Sequence, residues 1–276
     1  MTRDAATAAR DIRRLIIRQS KRAGVGHIGS ALSVADLVAS LHAHALRRPS
    51  PDHPDRDRFI VSKGHCVLAV YAALRLAGLL DDAALDGYCA DASLLGVHPE
   101  HALAGIDFST GSLGHGLSIG AGAALAARLQ GSPRRVFVLM SDAECNEGSV
   151  WEAAMFAAHH RLAALTAVID LNGQQAMGRT DDILSLSPMT ERWRAFGWDV
   201  HDVDGHDHAA LADTFAGLGA RPDRPHVVVA RTVFGRGISY MERKLAWHYL
   251  PMSDDDYRRA MDELGALECV EPSSAR

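Results

Sequence analysis

Two apolar runs in this chain end on residues suited to binding hard cations. RVFVLM (residues 135–140) leads into Ser141-Asp142-Ala143, and LTAVID (165–170) leads into Leu171-Asn172-Gly173-Gln174. One carboxylate, one amide oxygen and a nearby backbone carbonyl form an all-oxygen donor set. Such a set suits Mg²⁺, Ca²⁺ or Mn²⁺, with phosphate and water in the remaining positions. Asp142 and Asn172 are about 30 residues apart, a workable length for a strand–helix–strand crossover. Open α/β sheets bind ligands beyond the carboxyl ends of their strands, so the crossover would bring both side chains to one rim. A helix expected at 149–160, right after Asp142, would favour a diphosphate at its N-terminus. Ser141, Ala143 and Gly148 are small enough to let backbone approach a ligand. Taken singly, Asp142 reads as a helix cap and Asn172 as a turn former. Their pairing at neighbouring strand ends is what points to a metal.

The elements that must position these groups follow from pattern. The first 23 residues read as an amphipathic helix ending near Gly24. GVGHIGSALS reads as a glycine-rich loop. Ser33 and Asp36 then have capping-box spacing for a helix to about Leu46. RFIVS is a short strand before Lys63-Gly64-His65, and STGSLGHG (109–116) is a second glycine-rich turn before an Ala-rich helix. WDVHDV (198–203) and HVVVART (226–232) are further strands around a helix at about 209–218. Strands alternating with helices predict an α/β fold, a doubly wound parallel sheet flanked by helices. The reading is one domain over 1–234, with a C-terminal extension over 235–276 that carries His248 and packs on it.

The 276 residues are 47% hydrophobic and 23% charged, the balance of an ordinary globular chain. A net charge of −5 argues for neither nucleic acid nor an anionic membrane as partner. No apolar run reaches membrane-spanning length, and the N-terminus lacks a signal-peptide h-region. The four cysteines, Cys66, Cys89, Cys145 and Cys269, show no CxxC spacing, so scattered reduced thiols in a cytoplasmic protein are expected.

The segment SDAECNEGSVWEAAMFAAHHRLAALTAVIDLNG resembles the thiamine diphosphate signature, which opens Gly-Asp-Gly and closes on an Asn. Six further segments stand in the order of the transketolase family. They are GHIGS at His27, DRFIVSKGH ending at His65, HPE at His98, STGSLGHG around Leu113, AFGWDVHDVDGHD, and GRGISYMERKLAWH ending at His248. The similarity runs from about residue 10 to about 265. It implies the thiamine diphosphate-binding fold, in its diphosphate-type domain. By resemblance, Asp142 and Asn172 bind Mg²⁺ through side-chain oxygens and Gln174 through its carbonyl, with Ser141 and Ala143 beside the cofactor. His27, His65, His98 and His248 match the histidines lining the cofactor and substrate channel. Gly111 and Leu113 match the loop at the aminopyrimidine, and Glu147 a carboxylate near the subunit interface. His42, His44, His53, His159 and His160 match no motif and read as surface or structural.

The implied activity is transfer of a two-carbon ketol unit from a ketose phosphate to an aldose. The family's pyrimidine-binding and C-terminal domains have no counterpart here. The chain thus resembles the N-terminal subunit of a split transketolase, inactive alone and active with a separate C-terminal subunit in an α₂β₂ assembly. Alternatives are a thiamine diphosphate subunit of the 2-oxo acid decarboxylating type, a specialised-metabolism ketol transferase, and a non-catalytic homologue. Ser141 and Ala143 replace the family's two glycines. If Ala143 needed a positive φ, strain on the order of 1 kcal/mol would follow. Cys145 beside this loop raises the expectation of oxidation sensitivity.

Overall fold

The computed structural model describes residues 4–48, 50 and 52–265. Cys269 and the end of the expected extension lie outside the described residues. Helix α1 (Ala5–Ala23) buries Ile12, Leu15, Ile16 and Gln19, the three–four spacing of one helical face. Asp4 caps it by accepting from the Thr7 N–H at 3.2 Å. Gly24 ends it at φ 65°, a left-handed conformation that favours glycine.

GVGHIGSALS is a loop only as far as His27. Helix α2 (Ile28–Ser33) follows directly, then α3 (Ala35–Ser40) and a π-helical turn (Leu41–Ala45). The capping box expected at Ser33 and Asp36 does not form. Ser33 lies inside α2 and its hydroxyl donates to Asp170 at 2.7 Å, while Asp36 pairs with Arg13, His206 and His208. Both residues are buried, and there charge-assisted partners outweigh a local cap.

Five strands form an all-parallel sheet. Strands β1 (Arg58–Val61), β2 (Val136–Ser141) and β3 (Leu165–Leu171) come first. A small antiparallel ribbon, β4 (Gln174–Gln175) and β5 (Gly178–Arg179), interrupts. β6 (Asp199–Asp204) and β7 (His226–Arg231) complete the sheet in the order β1-β2-β3-β7-β6. The central strands are covered on both faces, hence their unbroken apolar runs. β6 lies at an edge and reads DVHDVD.

The remaining helices are α4 (Val67–Leu76), α5 (Asp82–Asp86), α6 (His115–Leu129), α7 (Gly148–His159), α8 (Thr180–Leu184) and α9 (Met189–Ala195). They are followed by α10 (His208–Gly217), α11 (Ala246–Tyr249) and α12 (Asp254–Glu263). Helices α1 to α4 and α10 cover the face carrying Phe137, Leu139, Val168 and Val228. Helices α6, α7 and α9 cover the face carrying Val138, Met140, Ile169 and Val229. The alternation along each strand is the period of two that sorts side chains between the two layers. Helix α11 packs on α2, and α12 packs on α1.

Candidate functional site at the strand tips

Because β1, β2, β3 and β7 run parallel, their carboxyl ends share one edge. Ser62-Lys63-Gly64-His65 follows β1, Asp142 follows β2, Asn172 follows β3 and Thr232 follows β7. Asp142 is fully buried. Its Oδ2 accepts from the Gly173 N–H and the Thr180 hydroxyl, both at 2.9 Å. Its Oδ1 accepts from the Ala143 N–H at 2.9 Å. The Asp142 carboxylate therefore lies against the backbone just after Asn172, and both residues line a cavity of about 390 Å³ with Thr180, Arg231 and Thr232. Gln174 comes next in the chain, and its N–H donates to Asn172 Oδ1 at 2.9 Å.

The residue that orients Asn172 was not singled out from the sequence. Asp170, in β3, is fully buried and accepts four bonds. Its Oδ2 takes the Ser33 hydroxyl at 2.7 Å, the Lys63 ammonium and the Asn172 amide N–H at 2.7 Å. Its Oδ1 takes the Thr232 hydroxyl. With the Asn172 nitrogen held by Asp170 and one lone pair of its oxygen taken by the Gln174 N–H, the second lone pair of that oxygen is what remains for a ligand. Burial alone would lower the Lys63 ammonium, but Asp170 outweighs it and the net shift is upward. Burial, and then the charge of Asp170, push the Asp142 carboxyl up to about 6. Two buried carboxylates with one buried ammonium leave negative charge at the tips, an electrostatic fit for a cation. The sequence signal for this pair was an ionisable residue at the end of each apolar run, since buried charges come paired.

A second overlooked residue is Glu144, also fully buried. It accepts from the Ser62 hydroxyl, from the Gly114 N–H at 2.8 Å and from the Ser141 N–H at 3.4 Å. It thereby ties the second glycine turn to the tips of β1 and β2. The Ser141 hydroxyl accepts from the Glu144 N–H at 3.0 Å. That bond supports a 3-10 turn (Ala143–Asn146), N-capped by Asp142, that precedes α7, which does not start directly after Asp142. Ala143 sits in that turn and is not among the positive-φ residues, so its methyl adds no backbone strain. Glu147 is the exposed N-cap residue of α7. Cys145 is fully buried, and burial followed by Glu144 and Asp142 raises its thiol well above the usual range. That environment makes the thiol inert and corrects the expectation of oxidation sensitivity.

The four singled-out histidines converge. The rings of His27, His65 and His248 lie 5.2–5.6 Å apart, centre to centre. His98 packs against Gly64 and Gly111. A β-carbon on Gly64 would stand 3.1 Å from the His98 ring and 3.2 Å from the Gly111 Cα, so glycine lets these segments close. Leu113, between Gly111 and Gly114, is half-buried. His27 is held at φ 61°, a strained conformation for a residue with a side chain, by its N–H donating to the His248 carbonyl at 3.1 Å. Burial lowers the affinity of His27, His65 and His248 for protons, and neighbouring His98, Lys63 and His27 charges respectively add to it. Among the described residues, the buried Nδ1 atoms of His27 and His248 have no hydrogen-bond partner. A cluster of neutral imidazoles with unspent polar atoms beside an acidic tip suits an anionic, hydroxyl-rich ligand chelating a cation.

A parallel sheet with buried polar groups gathered at its carboxyl ends is the architecture of an α/β ligand-binding domain. Residues 4–271 match the family described as "Transketolase, thiamine diphosphate binding domain". The chain is 37% identical to one subunit of the apulose-4-phosphate transketolase of Phocaeicola vulgatus, over 91% of this chain and 90% of that one. It is 36% identical to the 6-deoxy-6-sulfo-D-fructose transketolase subunit SqwG of Clostridium sp., over 92% and 93% of the two chains. The transketolase from Leishmania mexicana superposes with a TM-score of 0.87 at 28% identity, over 95% of this chain and 41% of that one. The chain thus spans about two fifths of that solved transketolase and nearly all of the relatives that are single subunits. It belongs to the transketolase family, as a thiamine diphosphate-binding chain that corresponds to one subunit of a divided enzyme.

Proposed function

We propose that this chain supplies the diphosphate-binding half of a ketol-transferring enzyme that works with a separate subunit. Asp142, the Asn172 oxygen and the Gln174 carbonyl would hold Mg²⁺, or Ca²⁺ or Mn²⁺ in its place, and through it the diphosphate. When bound, thiamine diphosphate supplies the carbon nucleophile that accepts the two-carbon unit. The chain's own residues do the rest. Asp170 and Lys63 hold Asn172 in one orientation, which is catalysis by positioning. His27, His65, His98 and His248 bind the sugar hydroxyls and move protons at their ring nitrogens. Gly111 and Leu113 would contact the aminopyrimidine, and Glu147 would lie at the subunit boundary. The division into a domain over 1–234 and an extension over 235–276 belongs to the same reading.

The observation that supports this reading is the bond from the Gly173 N–H to Asp142, which ties the acid at the end of β2 to the turn that carries Asn172. A partner subunit carrying pyrimidine-binding and C-terminal domains would complete the site, and an α₂β₂ assembly fits that division. Exposed apolar side chains near the tips support it: Met177 is 73% exposed, and Tyr249, whose hydroxyl donates to Ala176, is 53% exposed. Among the described residues no helix is long and apolar enough to cross a membrane. Free Cys66, Cys89 and Cys145 accord with a reducing cytoplasm. The test is ketol transfer from a ketose phosphate by the chain alone, by its partner alone, and by both with Mg²⁺ and thiamine diphosphate. Activity is expected only from the pair, and turnover by the single chain would overturn the division of labour.

A second reading is favoured by the relatives, which are named for apulose 4-phosphate and 6-deoxy-6-sulfo-D-fructose. The substrate here would then be an uncommon ketose, and a donor panel including branched and sulfonated sugars separates the two.

A further inference from the structure

At the opposite edge of the sheet, where β6 and β7 begin, three side chains converge that the tip chemistry does not use. Asp199 and His226 are the first residues of their strands and lie directly opposite each other in register. His201 is two residues further along β6, so the strand period returns it to the same face. One carboxylate oxygen, Asp199 Oδ2, sits 3.2 Å from His226 Nδ1 and 3.4 Å from His201 Nε2. One donor atom from each of the three residues lies within 4.8 Å of the others.

His226 is 1% exposed, its Nδ1 faces the Asp199 carboxylate, and among the described residues its Nε2 has no hydrogen-bond partner. The buried Nε2 of His201 faces the same carboxylate at 3.4 Å. Two imidazoles that meet one carboxylate at the long end of hydrogen-bond distance offer one nitrogen each, beside a carboxylate oxygen, to a shared ligand. The spacing is within reach of a tetrahedral ion. Ligands about 2.0–2.1 Å from a tetrahedral Zn²⁺ stand about 3.3 Å from one another. The two observed separations fall on either side of that value. Asp199 and His201 are each about a quarter exposed, which leaves a fourth position for water at the sheet edge. Asp223, just ahead of β7, is engaged by Arg224 at 3.0 Å.

We infer that Asp199, His201 and His226 form a transition-metal site, suited to Zn²⁺, that pins the edge strand β6 to β7. Two imidazoles and a carboxylate select such an ion over Mg²⁺, which prefers all-oxygen ligands. The site stands apart from the tip cations in place and in chemistry.

The test uses the full chain, its Asp199→Asn and His201→Gln variants, and an Asp142→Asn variant as control. Each is loaded with Zn²⁺ in excess Mg²⁺, desalted, and its metal content measured. The wild type and Asp142→Asn are expected to retain one more Zn²⁺ per chain than the Asp199 and His201 variants. Zn²⁺ affinity should fall at least tenfold in those two. Co²⁺ should give the intense visible bands of a four-coordinate site in the wild type, absent from both variants. Equal Zn²⁺ retention by all four proteins would overturn the inference, as would a wild type that retains none. Both changed residues lie on the half-exposed rim, so circular dichroism can show that the variants are folded. Metal content is read without ketol transfer, so the outcome is separate from that of the proposed activity.

Discussion

Two buried polar clusters lie within a few residues of each other at the strand tips, and they are finished to different degrees. Around Asp170 every partner is in place: Ser33, Lys63, Asn172 and Thr232 all donate to one carboxylate. Around His27 and His248 ring nitrogens remain unspent. The first cluster is a frame and the second is a receptor. A frame must be satisfied by the protein itself, because unpaired buried charge is costly. A receptor keeps some polar capacity in hand for what it binds, as functional sites often do. Substitutions should accordingly damage stability in the first and activity in the second.

The largest expected effect is from Lys63→Met, which leaves Asp170 buried without its counter-charge. Thermal or denaturant unfolding should show a loss of about 3–5 kcal/mol. A loss under 1 kcal/mol would mean that the pair is not part of the frame. Next comes Asp142→Ala. Calorimetry of the assembled enzyme should show thiamine diphosphate affinity in Mg²⁺ reduced roughly 100-fold or more, in line with the loss of a charged ligand. His248→Gln should behave in the opposite way to Lys63→Met. Activity should fall by about 10²-fold or more, the usual contribution of a positioned proton-transfer group, while the melting temperature barely moves.

The histidines also set a pH dependence. Burial holds His42 and His248 down to about 4 in the folded chain, against an ordinary 6.5 when unfolded. Above pH 6.5 both states are neutral, and the contribution to stability is constant. As pH falls from 6.5 toward 4 only the unfolded chain takes up protons, so stability should decline through that window. The decline should be on the order of 1–3 kcal/mol per histidine, at roughly 1.4 kcal/mol per pKa unit. Unfolding free energies at pH 7.5, 6 and 4.5 check this, and a flat profile would show that these rings are not held neutral. The smallest effect belongs to Ser141→Gly, which restores a family glycine. It removes the acceptor for the Glu144 N–H and should lower stability by about 1 kcal/mol with cofactor affinity unchanged.

How much of this was legible beforehand depended on the range of the interactions. The strands ending at Ser141 and Leu171 read directly from their apolar runs, as did α1 from its three–four spacing and Gly24. The acid, the amide and the four histidines were each marked by a local neighbourhood of small residues. The structure gathers the acid and the amide around one cavity and three of the histidine rings around another point. Asp170 escaped because it looked like the last residue of a strand, and its partners sit 137, 107, 2 and 62 positions away. Glu144 escaped for the same reason, since two of the three residues it ties down, Ser62 and Gly114, belong to other segments. Ser33 and Asp36 misled in the reverse sense. Their spacing fits a cap, but burial hands each of them to a distant partner. The His–Asp cluster at the base of β6 and β7 depends on strand register, which no short motif displays.

The contact between the first loop and residue 248 bears on how this chain can be trimmed or fused. Gly26 lies where any side chain would strike the Tyr249 carbonyl, and the adjoining peptide N–H of His27 donates to the oxygen of His248. Cutting after Phe234 would therefore remove the clasp that keeps His27 in its left-handed pose, as well as one ring of the trio. A shortened chain would be expected to melt near residue 27 first, so an engineered single-chain fusion should be joined downstream of this clasp.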